Sequence, residues 1–121
     1  MTIPFVGVVD DDKALCSSLV DLMRSTGCRA ESFTSVEALL TFDQLHNFDC
    51  IIADVHMPGK GGLDLIRELH EQDVMIPVIL ITALPDKHLD EEAVLRGALC
   101  LLRKPFETTC LLDWIERSLP Q

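Results

Sequence analysis

Positive charge is scarce in this chain of 121 residues: 10 Lys and Arg stand against 20 Asp and Glu, for a net charge of −10. Affinity for a phosphate backbone needs a basic footprint, so the segment is not expected to contact nucleic acid itself. Acidity of this kind suits solubility, metal attraction or a basic partner. Long hydrophobic runs are missing as well. None approaches the ~18 residues that a membrane span requires, so no membrane partner is expected. The five cysteines (Cys16, Cys28, Cys50, Cys100, Cys110) contain no C-x-x-C pair and are odd in number. They read as unpaired, mostly buried thiols in a reducing cytoplasm. Met1-Thr2-Ile3-Pro4 lacks the basic start of a signal peptide. Repeats, low-complexity tracts and internal linkers are also absent, and the length fits one domain.

Apolar residues, in contrast, make up 48% of the chain, and the mean hydropathy is +0.25. That balance fits a buried parallel sheet better than a half-exposed antiparallel one. Short apolar runs alternate with longer amphipathic ones, the pattern of βαβ units with right-handed crossovers. Val6-Gly7-Val8-Val9 runs into Asp10-Asp11-Asp12, and Cys50-Ile51-Ile52-Ala53 into Asp54. Val78-Ile79-Leu80-Ile81 runs into Thr82, and Leu99-Cys100-Leu101-Leu102 through Arg103 into Lys104. Arg29 to Phe33 is the weakest strand and reads as an edge.

The segments between are helical. Leu15, Leu19, Leu22 and Met23 share one face between Asp12 and Thr26, with Asp12 as N-cap and Gly27 at the C′ position. Thr34-Ser35-Val36-Glu37 reads as a capping box ahead of Leu39 and Leu40. Pro58-Gly59-Lys60-Gly61-Gly62 is a turn, followed by a helix marked by Leu63, Ile66 and Leu69. Pro77 suits the first residue of a strand. A fourth helix spans about Asp86 to Arg96, closed by Gly97. A last one spans about Glu107 to Leu119, with Leu111, Leu112, Ile115 and Leu119 inward and Pro120-Gln121 directly after it.

If the runs are parallel strands, their polar ends share one edge of the sheet, where open α/β sheets bind ligands. Acidic, acidic, hydroxyl and cationic groups then converge on a site for Mg²⁺ and a phosphoryl group. Asp54 is the candidate nucleophile, since a carboxylate attacking a phosphoryl donor gives an acyl phosphate. Mg²⁺ relieves the repulsion between anions, and Asp10 and Asp11 supply a direct and a water-mediated ligand. Lys104 would pair with one phosphoryl oxygen and Thr82 hydrogen-bond another. Phosphoryl transfer needs mainly positioning and charge stabilisation, so this set is chemically sufficient. Any one of these residues alone is more often a helix cap, a strand residue or a surface charge. Their joint occurrence at four successive strand ends points to function.

Val9-Asp10-Asp11-Asp12, Asp54-Val55-His56-Met57-Pro58-Gly59, Thr82-Ala83 and Lys104-Pro105-Phe106 resemble, in order and spacing, the motif set of bacterial two-component response-regulator receiver domains. The likeness covers essentially the whole chain and is closest to the FixJ-type receivers of two-domain transcription factors. It implies a flavodoxin-like, CheY-like (βα)5 fold, doubly wound, with five parallel strands in the order 2-1-3-4-5. It implies that Asp54 accepts phosphate from a phosphohistidine on a sensor histidine kinase. Asp10 and Asp11 would bind Mg²⁺, with Asp11, Asp54 and the main-chain carbonyl of His56 as direct ligands. Lys104-Pro105 would be cis. Phosphorylation would draw Thr82 inward and reshape the face of the fourth helix and fifth strand, a shift between two packings.

Several positions depart from the usual pattern. Leu101 stands where many receivers carry a Tyr or Phe that swings with the threonine. Lys60 occupies a place often filled by Met and reads as a solvent-exposed substitution in preference to a cation placed near the loop that follows the phosphorylation site. His56 and Leu84 hold positions that tune hydrolysis of the acyl phosphate in this family. One rival reading is a haloacid-dehalogenase-type phosphatase, but such enzymes carry an Asp where this chain has His56 and usually need a cap insertion. The other is a stand-alone or phosphate-independent module that acts by docking, although degenerate receivers usually lose one of the residues present here. The resemblance therefore implies a phosphoacceptor switch with no external substrate, which assists its own phosphoryl transfer and dephosphorylation. A helix-turn-helix DNA-binding domain is expected beyond residue 121. Leu99, Leu101, Cys110 and Leu111 could supply a phosphorylation-dependent homodimer face or equally be ordinary core residues, a choice that strand alternation alone does not settle.

Overall fold

Every residue of β1 (Phe5–Val9), β3 (Cys50–Asp54) and β4 (Val78–Thr82) is buried. Strands covered on both faces belong to a parallel sheet flanked by helices. In the computed structural model, which describes residues 3–119, five parallel strands stand in the order β2-β1-β3-β4-β5. β2 (Arg29–Phe33) and β5 (Cys100–Arg103) form the edges. The expectation for β2 is met: of its residues only Ala30 is fully buried. The connecting helices are α1 (Lys13–Ser25), α2 (Val36–Leu40), α3 (Gly62–Glu71), α4 (His88–Leu95) and α5 (Thr108–Ser118). Among the described residues no helix is long and apolar enough to cross a membrane.

Each face of the sheet carries its own core. On one, Leu39 of α2, Leu65 and Leu69 of α3 and Leu89 of α4 pack on Ile51 and Leu80. On the other, Leu19 and Met23 of α1 and Leu111 and Ile115 of α5 pack on Val6, Val8, Ile52 and Ile79. Each such side chain, fully buried, contributes about 1.5–3 kcal/mol. These two layers clamp the sheet and fix where its strand ends lie.

Local signals explain most of the helix boundaries. The Asp12 carboxylate accepts from the N–H groups of Ala14 and Leu15, starting α1, and Gly27 ends it at φ +92°. The capping box expected at Thr34 is corrected. Ser35 is the N-cap and accepts from Ala38 N–H, so Glu37 falls one position short of a reciprocal bond. Pro77 precedes β4, although its carbonyl already accepts from Ile51 N–H at 2.9 Å. α4 begins two residues later than expected because Asp86 is spent outside it, its carboxylate accepting from His88 N–H at 2.9 Å. Of the thiols, Cys16 and Cys50 are buried, Cys28 and Cys100 half-buried and Cys110 exposed, all unpaired. Pro120 and Gln121 lie outside the described residues.

Candidate functional site

The chain leaves β1 for β2 on one side and returns to β3 on the other, so the strand order reverses between β1 and β3. A crevice opens at the carboxyl ends of such a pair. Val9 lies in register with Ala53, which makes Asp10 and Asp54 the next residues in line on neighbouring strands. Both are buried, Asp10 at 0% exposure and Asp54 at 6%. Asp11 is exposed at the rim. One oxygen from each of Asp10, Asp11 and Asp54 falls within 4.8 Å of the others.

Lys104 reaches this cluster from the end of β5. Its Nζ lies 3.0 Å from Asp10 Oδ2 and 2.9 Å from Asp54 Oδ2. The remaining oxygens are held by the main chain: Asp12 N–H donates to Asp10 Oδ1 at 2.9 Å, and His56 N–H to Asp54 Oδ1 at 2.8 Å. Both carboxylates are thereby oriented as well as paired. Burial pushes the Asp10 pKa above its ordinary value, the bonds from Asp12 N–H and Lys104 pull it down, and the nearby Asp54 adds to the rise. For Lys104, burial alone would lower the pKa, but the bonds to Asp54 and Asp10 outweigh it and the ammonium is held above its usual range. Three carboxylates against one ammonium leave two negative charges in excess at this spot. A compact set of hard oxygen donors with that excess fits Mg²⁺.

Thr82 ends β4 fully buried, and its hydroxyl accepts from Leu84 N–H at 3.1 Å. Lys104 N–H donates to the Thr82 carbonyl at 2.7 Å, which fixes these two residues side by side. The Lys104–Pro105 bond is cis. The structure thus brings Asp10, Asp11, Asp54, Thr82 and Lys104 to one edge of the sheet. His56 and Leu84 are exposed at its rim, each tied to the site through its own main-chain N–H.

Residues 6–116 match the response regulator receiver domain family. This chain belongs to that family. The receiver is 37% identical over 114 residues to the transcriptional regulatory protein FixJ of Azorhizobium caulinodans, covering 94% of this chain and 54% of that protein. It is 36% identical over 112 residues to the C4-dicarboxylate transport transcriptional regulatory protein DctD of Pseudomonas aeruginosa, covering 93% of this chain and 24% of that one. Among solved structures, FixJ-N aligns with a TM-score of 0.87 at 32% identity, covering 98% of this chain and 94% of the other. The BeF3-activated DrrB receiver domain aligns with a TM-score of 0.85 at 27% identity, covering 97% of each chain. The chain spans about half the length of the FixJ proteins it matches.

Other expectations for this receiver change in the structure. Leu101 is half-buried and packs against the core cluster that holds Leu89 and Ala93 of α4. Leu111 is fully buried, so it belongs to the α5 core and not to a dimer face, whereas Cys110 is exposed. Lys60 is solvent-exposed as expected, its side chain 43% accessible, and its Nζ also pairs with Glu68 Oε1 at 2.7 Å. Arg103, read only as part of a strand, makes a two-pronged contact with Asp90 at 3.0 Å on both prongs and reaches the Asp86 carbonyl at 2.8 Å. It staples the start of α4 to β5. Neither pair has a local sequence signal, since their partners lie 8 and 13 residues away along the chain.

Proposed function

We propose that this receiver is a cytoplasmic phosphorylation switch in which Asp54 takes a phosphoryl group from the phosphohistidine of a sensor histidine kinase. The observation that carries the reading is Lys104 Nζ held between the buried carboxylates of Asp10 and Asp54, with Asp11 beside them. Asp11, Asp54 and the His56 main-chain carbonyl would hold Mg²⁺ directly, and Asp10 through water. The cation would supply charge neutralisation as the phosphoryl group approaches. Lys104 then pairs with a phosphoryl oxygen as a point charge, having no need to move far from Asp54. His56 and Leu84, at the rim, govern access of water to the acyl phosphate and so the rate at which the domain assists its own dephosphorylation. An apolar groove of about 490 Å³ between α1 and the loop after β5 runs up to Lys104 and gives the kinase a footing beside the acceptor.

The output follows from Thr82. Its hydroxyl accepts from Leu84 N–H and keeps its own proton to donate to a phosphoryl oxygen, so turning toward the phosphoryl group carries the Leu84 N–H and the loop leading into α4 with it. Because Leu101 has no aromatic ring to swing, the Arg103 staple to Asp90 and Asp86 carries that movement into α4. Val94 and Leu95 of α4, 72% and 85% exposed, then offer a phosphorylation-dependent homodimer face. Control of transcription is the output that the name of the FixJ relatives suggests, and an attached helix-turn-helix domain is the means we propose for it. The test is the intact mass of the protein after incubation with acetyl phosphate and Mg²⁺, beside Asp54→Asn and a chelated control. One added phosphoryl group, absent from both controls, is expected. No adduct under rapid quenching would favour a docking module that works without phosphate.

A further inference from the structure

The loop after Asp54 returns very close to the strand it left. A Cβ on Gly61 would lie 1.9 Å from the Val55 carbonyl oxygen, and one on Gly62 would lie 3.0 Å from the Asp54 carbonyl oxygen. Only glycine permits that approach, so the loop backbone touches the backbone of the acceptor residue itself. Immediately before the crossing, Lys60 Nζ bonds Glu68 Oε1 at 2.7 Å. Asp64, one turn earlier on α3, accepts from Gly61 N–H at 3.0 Å. Residues four apart share a helix face, so Asp64 and Glu68 together hold the returning loop.

The Lys60–Glu68 pair is sheltered on one side only, since the Lys60 side chain is 43% exposed. The Glu68 side chain is only 20% exposed, and its second oxygen, Oε2, is buried without a partner. Lys60 is therefore the only cation compensating this carboxylate among the described residues. The pairing with Glu68, aided by the charge of Glu37 on α2, holds the ammonium above its usual pKa. Without the pair, residue 60 would sit among Gly59, Gly61 and Gly62, the most permissive backbone available.

We propose that Lys60 is a positioning residue: its bond to Glu68 fixes the 55–61 loop so that Asp54 and the His56 carbonyl are presented together to a divalent cation. The inference rests on the receiver reading above, and it concerns how this chain holds its loop at a position that in receivers is often methionine. Its sign separates it from a simple charge effect. Removing a positive charge near a cation site should tighten cation binding by Coulomb's law, whereas loss of a positioning contact should weaken it.

The experiment is a Mg²⁺ titration of the metal-free protein followed by its amide NMR signals, for wild type, Lys60→Met, Glu68→Gln and the swap Lys60→Glu with Glu68→Lys. Both single variants should bind Mg²⁺ roughly 3- to 10-fold more weakly, at or below the low end of what outer supports of metal ligands contribute. Amide exchange at His56 and Gly61 should quicken, and the swap should recover part of the affinity. Glu68→Gln removes a negative charge, which by itself weakens cation binding, so it is read by amide exchange: unchanged exchange at His56 and Gly61 would overturn the positioning role even if Lys60→Met, which strands a half-buried carboxylate, folds poorly. Affinity unchanged or tightened in Lys60→Met, with wild type binding normally, would overturn the positioning role alone. A wild type that binds no Mg²⁺ and accepts no phosphoryl group would overturn the receiver reading, and this inference with it.

Discussion

Replacing Lys104 by methionine would leave the carboxylates of Asp10 and Asp54 together at a buried strand edge without their shared ammonium. Removing one member of a buried pair costs about 3–5 kcal/mol, and removing one from an exposed pair about 0–1. The lysine side chain is 25% exposed while Asp10 is fully buried, so the cost falls between these limits at about 2–3 kcal/mol. For a chain of this size that is roughly 6–15 °C in thermal midpoint. The pH dependence has a definite sign. Asp10 is already raised above 3.8 by burial, and losing Lys104 raises it further. A carboxyl group with a raised pKa in the folded state contributes its stability below the unfolded value and loses it as pH rises through the folded one. The deficit of Lys104→Met should therefore widen from pH 4 to pH 7.5 in chelator. Mg²⁺ should narrow it, because a bound cation replaces the missing charge and stabilises the folded state by mass action. Thermal melts of both proteins at the two pH values, with and without Mg²⁺, would show this. A variant as stable as wild type at pH 7.5 in chelator, or a deficit that shrinks as pH rises, would refute the reasoning.

Two more outcomes follow from the same geometry. Asp10→Asn removes a buried anion whose pKa is raised by burial, so in chelator it should stabilise the protein near neutral pH, with the gain fading as pH falls through the raised folded pKa and gone by the ordinary value of 3.8. Urea midpoints would measure the gain, and Mg²⁺ titration should show weakened binding. Thr82→Ala orphans the Leu84 N–H and should cost about 1 kcal/mol. It should still accept phosphate at Asp54, while the amide shifts that phosphorylation induces in α4 are lost.

The sequence carries the strand ends plainly because two signals coincide there. Apolar runs of the right length mark buried strands, and Asp10, Asp54, Thr82 and Lys104 are chemically unusual at their ends. Which strand lies beside which is not written in those runs; the order 2-1-3-4-5 came from the family resemblance. A boundary shifts by one residue where a signal has two adjacent candidates, as at Thr34 and Ser35, both of which can cap. Leu111 reads equally as a core residue or a dimer contact because an apolar helix residue looks the same whether it faces the sheet or a partner, and the fold puts it in the core. Lys60–Glu68 and Arg103–Asp90 were invisible for a different reason. Each joins a loop or strand to a helix at a spacing that only the folded chain creates.

The most direct test of the account is to locate the phosphoryl group. The protein would be phosphorylated with acetyl phosphate and Mg²⁺, reduced with borohydride, which converts an acyl phosphate to an alcohol, and mapped by peptide mass. Conversion of Asp54 alone to homoserine is the predicted result. Conversion at Asp10 or Asp11, or phosphate that survives reduction on a histidine, would contradict it.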